Sequence, residues 1–177
     1  EGCICCSLKS DFASSILTIA NTLSPQYLVV EPTGVGLLSS VMHNISKIEY
    51  EKIQLLEAIT IVDVHCVKDY LNKFGDIYID QIKNAHLIIL SKIEDATQSE
   101  KADIVCILRE LNPKAQILDE NYNAQNDEWW ESLFEKLKKD DGSKTKTSFN
   151  KEHIPDLESL NNPSNLSMPQ VVIFAIG

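Results

Sequence analysis

Short apolar runs rich in β-branched residues, each followed by a polar residue and a segment of helical periodicity, recur along most of this chain. No other feature limits its possible folds as strongly. Tyr27-Leu28-Val29-Val30 closes on Glu31, the run from Ala58 closes on Asp63, and Leu87-Ile88-Ile89-Leu90 closes on Ser91-Lys92. Ala115-Gln116-Ile117-Leu118 reads as a fourth run. Continuous apolar runs of this kind suit strands buried on both faces, as in parallel sheets.

The intervening segments have the spacing of helices. Leu8, Phe12, Ile16, Ile19 and Leu23 share one face of a helix over 8–24, which Pro25 ends. Residues 35–48 are predicted helical after the break at Pro32-Thr33-Gly34, and 66–84 form short helices split near Gly75. Thr97 and Glu100 make a capping-box pattern, with Ala102, Val105, Leu108 and Leu111 on one face behind it. Asp127 is expected to cap a helix whose apolar side is Trp130, Leu133, Phe134 and Leu137. Alternation of strand and helix predicts an α/β fold with a parallel sheet flanked by helices.

Beyond Lys138 the character changes. Lys, Asp, Ser, Thr and Asn dominate to about Asn165, which reads as a polar linker over 140–165 between a domain at 1–139 and the segment 166–177. The last run, Val171 to Ile176, is expected to begin a further C-terminal domain. A second reading makes Val171–Gly177 the strand that leads into a phosphate loop in a rearranged chain. The start at Glu1-Gly2-Cys3 and the end at Gly177 read as those of a fragment.

The charge balance narrows the function. With 16 basic against 26 acidic residues and a formal charge of −10, non-specific binding to nucleic acid or an anionic membrane is disfavoured, since both rest on neutralising phosphates with Lys and Arg. No apolar run approaches the roughly 20 residues needed to cross a bilayer, and no secretory signal is visible. Of the five cysteines, Cys3, Cys5 and Cys6 lie within four residues. Such clustering makes a poor disulfide framework and fits a reduced, cytoplasmic setting.

That trio is the first candidate for chemistry. Thiolates are soft donors for zinc, copper(I) or iron–sulfur clusters, and a compact trio leaves a coordination position to be filled from elsewhere. The alternative is a loop with free thiols. The acid-terminated strands are the second candidate, because ligands of α/β sheets gather at the carboxyl ends of strands. Glu31, with Gly34 just beyond, is placed to serve a magnesium ion or orient a water. Asp63 is equally a turn or cap residue. Ser91-Lys92-Ile93-Glu94 is the third, a short side chain, a long cation and an acid suited to clamping a purine base.

Taken in order, these residues resemble the CobW-type P-loop GTPases, relatives of HypB and UreG. Gly2-Cys3-Ile4-Cys5-Cys6-Ser7-Leu8 is similar to that family's cysteine motif, and Glu31-Pro32-Thr33-Gly34 to its Glu-x-x-Gly element. Ile61-Val62-Asp63 and Gln81-Ile82-Lys83-Asn84-Ala85 match its Val-Val-Asp strand and Gln-Ile-x-x-Ala segment. Ser91-Lys92-Ile93-Glu94 stands where the Asn-Lys-x-Asp guanine motif belongs, and Leu111-Asn112-Pro113-x-Ala115 matches the Asn-Pro-x-Ala that follows.

The resemblance implies a P-loop NTPase-like fold, GTP and Mg2+ binding, slow hydrolysis, and delivery of a metal, Zn2+ or Co2+, to a client metalloprotein. Cys3, Cys5 and Cys6 would hold the metal, with Glu31 near the γ-phosphate. Lys92 would stack along guanine and Glu94 accept from its ring nitrogen and exocyclic amine. The resemblance leaves room for a homo-oligomer. Two departures stand out. No Gly-x-x-x-x-Gly-Lys-Ser/Thr occurs, so this chain alone is expected to bind and hydrolyse GTP poorly, and Ser91 and Glu94 replace the family's Asn and Asp. The competing reading is a non-catalytic, thiol-rich metal-binding module on the same fold.

Overall fold

The structure is a computed structural model that describes residues 9–32, 34, 36–48, 53–137 and 170–176. The described residues form five α-helices and six strands in the order α1 (Lys9–Leu23), β1 (Tyr27–Val30), α2 (Leu38–Ser46), β2 (Gln54–Leu55), β3 (Ile59–Asp63), α3 (Val67–Lys83), β4 (Leu87–Ser91), α4 (Gln98–Leu111), β5 (Gln116–Leu118), α5 (Asp127–Lys136) and β6 (Gln170–Ile176). Every strand pair is parallel, in the order β1-β6-β3-β4-β5, with β2 also on β6. The expected α/β class and parallel sheet are therefore present.

Side chains alternate across the sheet with the two-residue period of strands. In β4, Ile88 and Leu90 join Val62 of β3 in a core under α3 and α4, completed by Val67, Tyr78, Ile82, Ile104 and Leu108. Leu87 and Ile89 point the other way, with Ile59, into a core closed by Leu133 and Leu137 at α5. A third cluster seats Ile16 and Ala20 of α1 and Leu38, Val41 and Ile45 of α2 against Val30 and Leu55. Apolar residues on both faces of β3 and β4 explain why these runs are continuous rather than alternating.

Several local expectations hold and others shift. Thr97 caps α4 in a full capping box: its hydroxyl accepts from the Glu100 N–H at 3.2 Å and the Glu100 carboxylate accepts from the Thr97 N–H at 2.8 Å. The core face of α4 is carried by Ile104 and Leu108, while Ala102 is exposed. On α1 the face runs through Ile16 and Ala20, and Leu23, the last residue of the helix, is 71% exposed. The cap of α5 is Asn126, whose side chain accepts from the Trp129 N–H, so Asp127 is the first helical residue. The helix expected over 35–48 is shorter, Leu38–Ser46. Gly75 does break α3, with φ 42 and ψ −112, the left-handed region that glycine tolerates best.

Residues 170–176 pair on both edges, with β1 on one side and β3 on the other. In the structure they share the sheet of the first 137 residues as an interior strand between β1 and β3 rather than standing apart as a separate unit. The linker 140–165 lies outside the described residues.

Candidate functional site

Asp63 ends β3 and Ser91 ends β4, and the two are register partners at the carboxyl edge of the sheet. Lys92 then turns through the left-handed region at φ 56, ψ 34. That turn brings its Nζ back to 2.6 Å from Asp63 Oδ2. The other carboxylate oxygen of Asp63 accepts from the His65 N–H at 3.0 Å. Ile93, 4% exposed, pins the following 3-10 turn (Ile93–Asp95) into the core, and Glu94 is left outside. The result is a rigid corner that presents a cation and an acid to solvent.

Electrostatics keep that corner charged. Burial at the strand end would raise the Asp63 pKa, but the hydrogen bond and charge of Lys92, the His65 N–H and the Cys66 side chain more than offset it, so it lies below the ordinary 3.8. Hydrogen bonding to Asp63, together with its charge, raises the Lys92 pKa above its usual 10.5. With 68% of the lysine side chain exposed, the pair orients Lys92 more than it stabilises the fold.

A pH prediction follows from the lowered carboxylate. A depressed folded pKa gives stability that is present above the unfolded value and is lost as pH falls through the folded one. Acid unfolding monitored by circular dichroism is therefore expected to lose part of its steepness below pH 3.8 in Asp63→Asn. An unchanged acid limb in that variant would show that the carboxylate gains nothing from Lys92.

Gly34 is held from an unexpected direction. Gln81 in α3, 2% exposed, donates its side-chain amide to the carbonyls of Gly34 at 2.9 Å and Gly36 at 3.1 Å. Its neighbour Asp80 accepts from the Ser39 N–H at 3.0 Å, and the Thr60 hydroxyl donates to the Gln81 carbonyl at 2.9 Å. The loop after β1 is thus latched to the far end of α3. Glu31 is exposed on that loop.

The structure does not gather all the candidates at one point. Glu31 follows the pair Val30–Ile173, whereas Asp63 lies two residues beyond the pair Ile61–Ile176. At about 3.3 Å per residue the two carboxylates are staggered by roughly 13 Å along the strand direction. Asp63, Ser91, Lys92 and Glu94 form one group, and Glu31 with Gly34 another. Cys3, Cys5 and Cys6 lie outside the described residues. Cys66, half-buried at the start of α3, lies beside the first group, while Cys106 is exposed on α4.

Two residues matter more than their sequence signal suggested. Asn112, 7% exposed, donates its side-chain amide to the carbonyls of Ile82, Lys83 and Ala85 and accepts from the N–H groups of Lys114 and Ala115. It ties the end of α3 to the turn before β5. Tyr78 is fully enclosed beside Tyr70, and its hydroxyl has no partner among the described residues. Burial, with the charges of Cys66 and Asp63, raises its pKa far above the phenol range. The motif segments containing Gln81 and Asn112 were visible in sequence, but their roles as clamps were not.

Away from this edge, a groove of about 170 Å³ opens between β5 and α5, lined by residues including Leu87, Leu118 and Trp129. It lies at the amino end of β4, away from Ser91. No helix among the described residues is long and apolar enough to cross a membrane.

Comparison with known proteins bears on the same residues. No solved structure matches the chain. A model of the CobW/HypB/UreG nucleotide-binding domain matches residues 1–119, which takes in the cysteine trio, the loop after β1, the Asp63–Lys92 corner and the Asn112 clamp. A match over most of the 177 residues settles the kinship: this chain belongs to the CobW/HypB/UreG family, through its nucleotide-binding domain.

Proposed function

We propose that the protein handles a metal ion under the control of a guanine nucleotide, as a metal chaperone or insertase for a client metalloprotein. What carries this reading is the family match over residues 1–119, the stretch that contains both Cys3-Ile4-Cys5-Cys6 and the charged corner. Three thiolates suit Zn2+ or Co2+, and a compact trio keeps one position open for transfer. Among the described residues no other cluster of His, Cys, Asp or Glu has the arrangement to hold a metal.

The corner is the nucleotide half. Lys92, fixed by Asp63, offers its stem to the face of a guanine, and Glu94 offers an acceptor to its ring nitrogen and exocyclic amine. Glu31 serves Mg2+ or water near the γ-phosphate. The residues fit the base and not the phosphates, because the sequence holds no Gly-x-x-x-x-Gly-Lys-Ser/Thr. In this reading residues 1–139 and the strand β6 make one unit, with 140–165 as the connection between them, and it works in the cytoplasm. The clustered thiols Cys3, Cys5 and Cys6 suit a second reading equally, a non-catalytic metal-binding module on the same fold.

A titration of the 15N-labelled chain with GDP and with ADP, each with Mg2+, separates the two. Guanine recognition predicts shifts at the amides of Ser91, Lys92 and Glu94 with GDP alone, lost in Glu94→Gln. Equal shifts with both nucleotides, or none, would leave only the metal-binding module.

A further inference from the structure

α2 starts without a cap of its own. Leu37, its N-cap, has no polar side chain to offer, and the first turn carries no acid. The missing acceptor comes from α3, where one carboxylate oxygen of Asp80 takes the Ser39 N–H at 3.0 Å. Ser39 is the second residue of α2, a position that a local cap would serve. A carboxylate there also suits the positive end of the helix. The other oxygen of Asp80 accepts from the Asn84 side-chain amide at 3.0 Å, which holds the carboxylate in place.

Gln81, next along α3 and turned by about 100° from Asp80, holds the loop in front of that helix. Its side-chain nitrogen donates to the carbonyls of Gly34 at 2.9 Å and Gly36 at 3.1 Å. Its side-chain oxygen has no partner among the described residues, so the two carbonyls decide which way the amide faces. The backbone of Gln81 is itself tied to the sheet, because its carbonyl accepts from the hydroxyl of Thr60, fully buried on β3. At its other end the loop leaves the sheet at Val30, paired with Ile173, and passes through the buried Pro32. Glu31 therefore sits on a stretch fixed on both sides, three residues before the first carbonyl that Gln81 holds.

We propose that Asp80 and Gln81 are positioning residues for the Glu31 carboxylate, holding its loop in the geometry that presents it to a divalent cation. The inference rests on the reading of Glu31 as a residue that serves Mg2+. Its chemistry suits that ion: the carboxylate is exposed and takes part in neither ion pair found among the described residues. Mg2+ is held by one or two carboxylates and otherwise by water or phosphate oxygens. Asp80 and Gln81 act through the backbone of the loop and not as ligands.

Mn2+ alone stands in for Mg2+ in the test, because it broadens the amide signals of residues near it. In the 15N-labelled full chain it is expected to broaden the Gly34 amide, and Glu31→Gln should abolish the effect. Loss of a group that supports a ligand weakens metal binding by about tenfold or more, so Gln81→Met and Asp80→Ala should each need about ten times as much Mn2+. Asp80→Asn keeps an acceptor for the Ser39 N–H and loses only the charge, so it should stay within about twofold of the unaltered chain. Unmoved Ser91 and Lys92 amides report an intact fold, and the half-buried Asp80 carries the test if Gln81→Met does not fold. An equal Mn2+ requirement in Asp80→Ala and the unaltered chain overturns the inference and leaves the reading of Glu31 standing. Asp80→Asn as weak as Asp80→Ala overturns it too, since charge and not position would then be at work. Broadening that is absent, or that survives Glu31→Gln, overturns the reading of Glu31 itself and the inference with it.

Discussion

Asn112→Ala is expected to destabilise the fold by about 3–5 kcal/mol, the largest loss from any single polar side chain among the described residues. The reason is what it leaves behind. The asparagine amide serves Ile82 and Ala85 at 2.8 Å each and Lys83 at 3.2 Å, carbonyls at the end of α3, of which Ile82 also accepts from the Ala85 N–H at 3.3 Å. Its oxygen serves the Ala115 N–H at 3.1 Å and the Lys114 N–H at 3.2 Å in the turn before β5. At 7% exposure little water enters to replace it. Each buried group left without a partner costs about 1–3 kcal/mol.

Measured against a total stability of roughly 5–15 kcal/mol, that loss is large enough to move a urea midpoint by about 2 M. Asn112→Asp sharpens the case. It keeps the shape but puts a carboxylate against three carbonyl oxygens, and should be no better than alanine. A loss below about 1 kcal/mol in both variants would mean that the amide does not hold the two helix ends together.

How much of this was legible in the sequence depends on the range of the interaction. β1, β3, β4 and β5 appear where the apolar runs lie, because burial on both faces writes itself locally. The capping box at Thr97 and the break at Gly75 were legible for the same reason: each is decided within one turn of helix. Faces were less secure. Periodicity groups Leu23 with Ile16, but only packing shows that Leu23 stays exposed and that Ala20 is buried in the core.

Long-range partners were the least legible. An apolar run such as Val171–Ile176 announces a strand and not its neighbours, so its place between β1 and β3 depends on the edges that the rest of the chain leaves open. The same holds for the site. Asp63 and Lys92 were each visible as strand-end residues, yet their 2.6 Å pairing requires the left-handed turn at Lys92, a conformation with no signature in a Ser-Lys-Ile-Glu sequence. Gln81 sits inside a recognisable segment, but its grip on Gly34 and Gly36 joins elements far apart in the chain.

The second large effect concerns the cysteines. Replacing Cys3, Cys5 and Cys6 together with serine is expected to weaken Zn2+ binding at least a hundredfold. Thiolate–zinc bonds carry most of the free energy of such sites, about 10–16 kcal/mol for closed four-ligand sites at neutral pH, and a serine hydroxyl does not ionise to replace them. A trio with one open position should fall short of that range, tight enough to hold the ion and loose enough to surrender it. Cys66 and Cys106 are not expected to substitute: the first lies at the start of α3 beside Asp63, and the second is exposed on α4.

Zinc competition against a chromophoric chelator, run on the reduced chain and on the triple serine variant, tests the metal-handling claim most directly. Tight one-to-one binding by the unaltered chain, lost in the variant, is the predicted result. Equal and weak binding by both would contradict the account, leaving a nucleotide-binding fold with no metal to deliver.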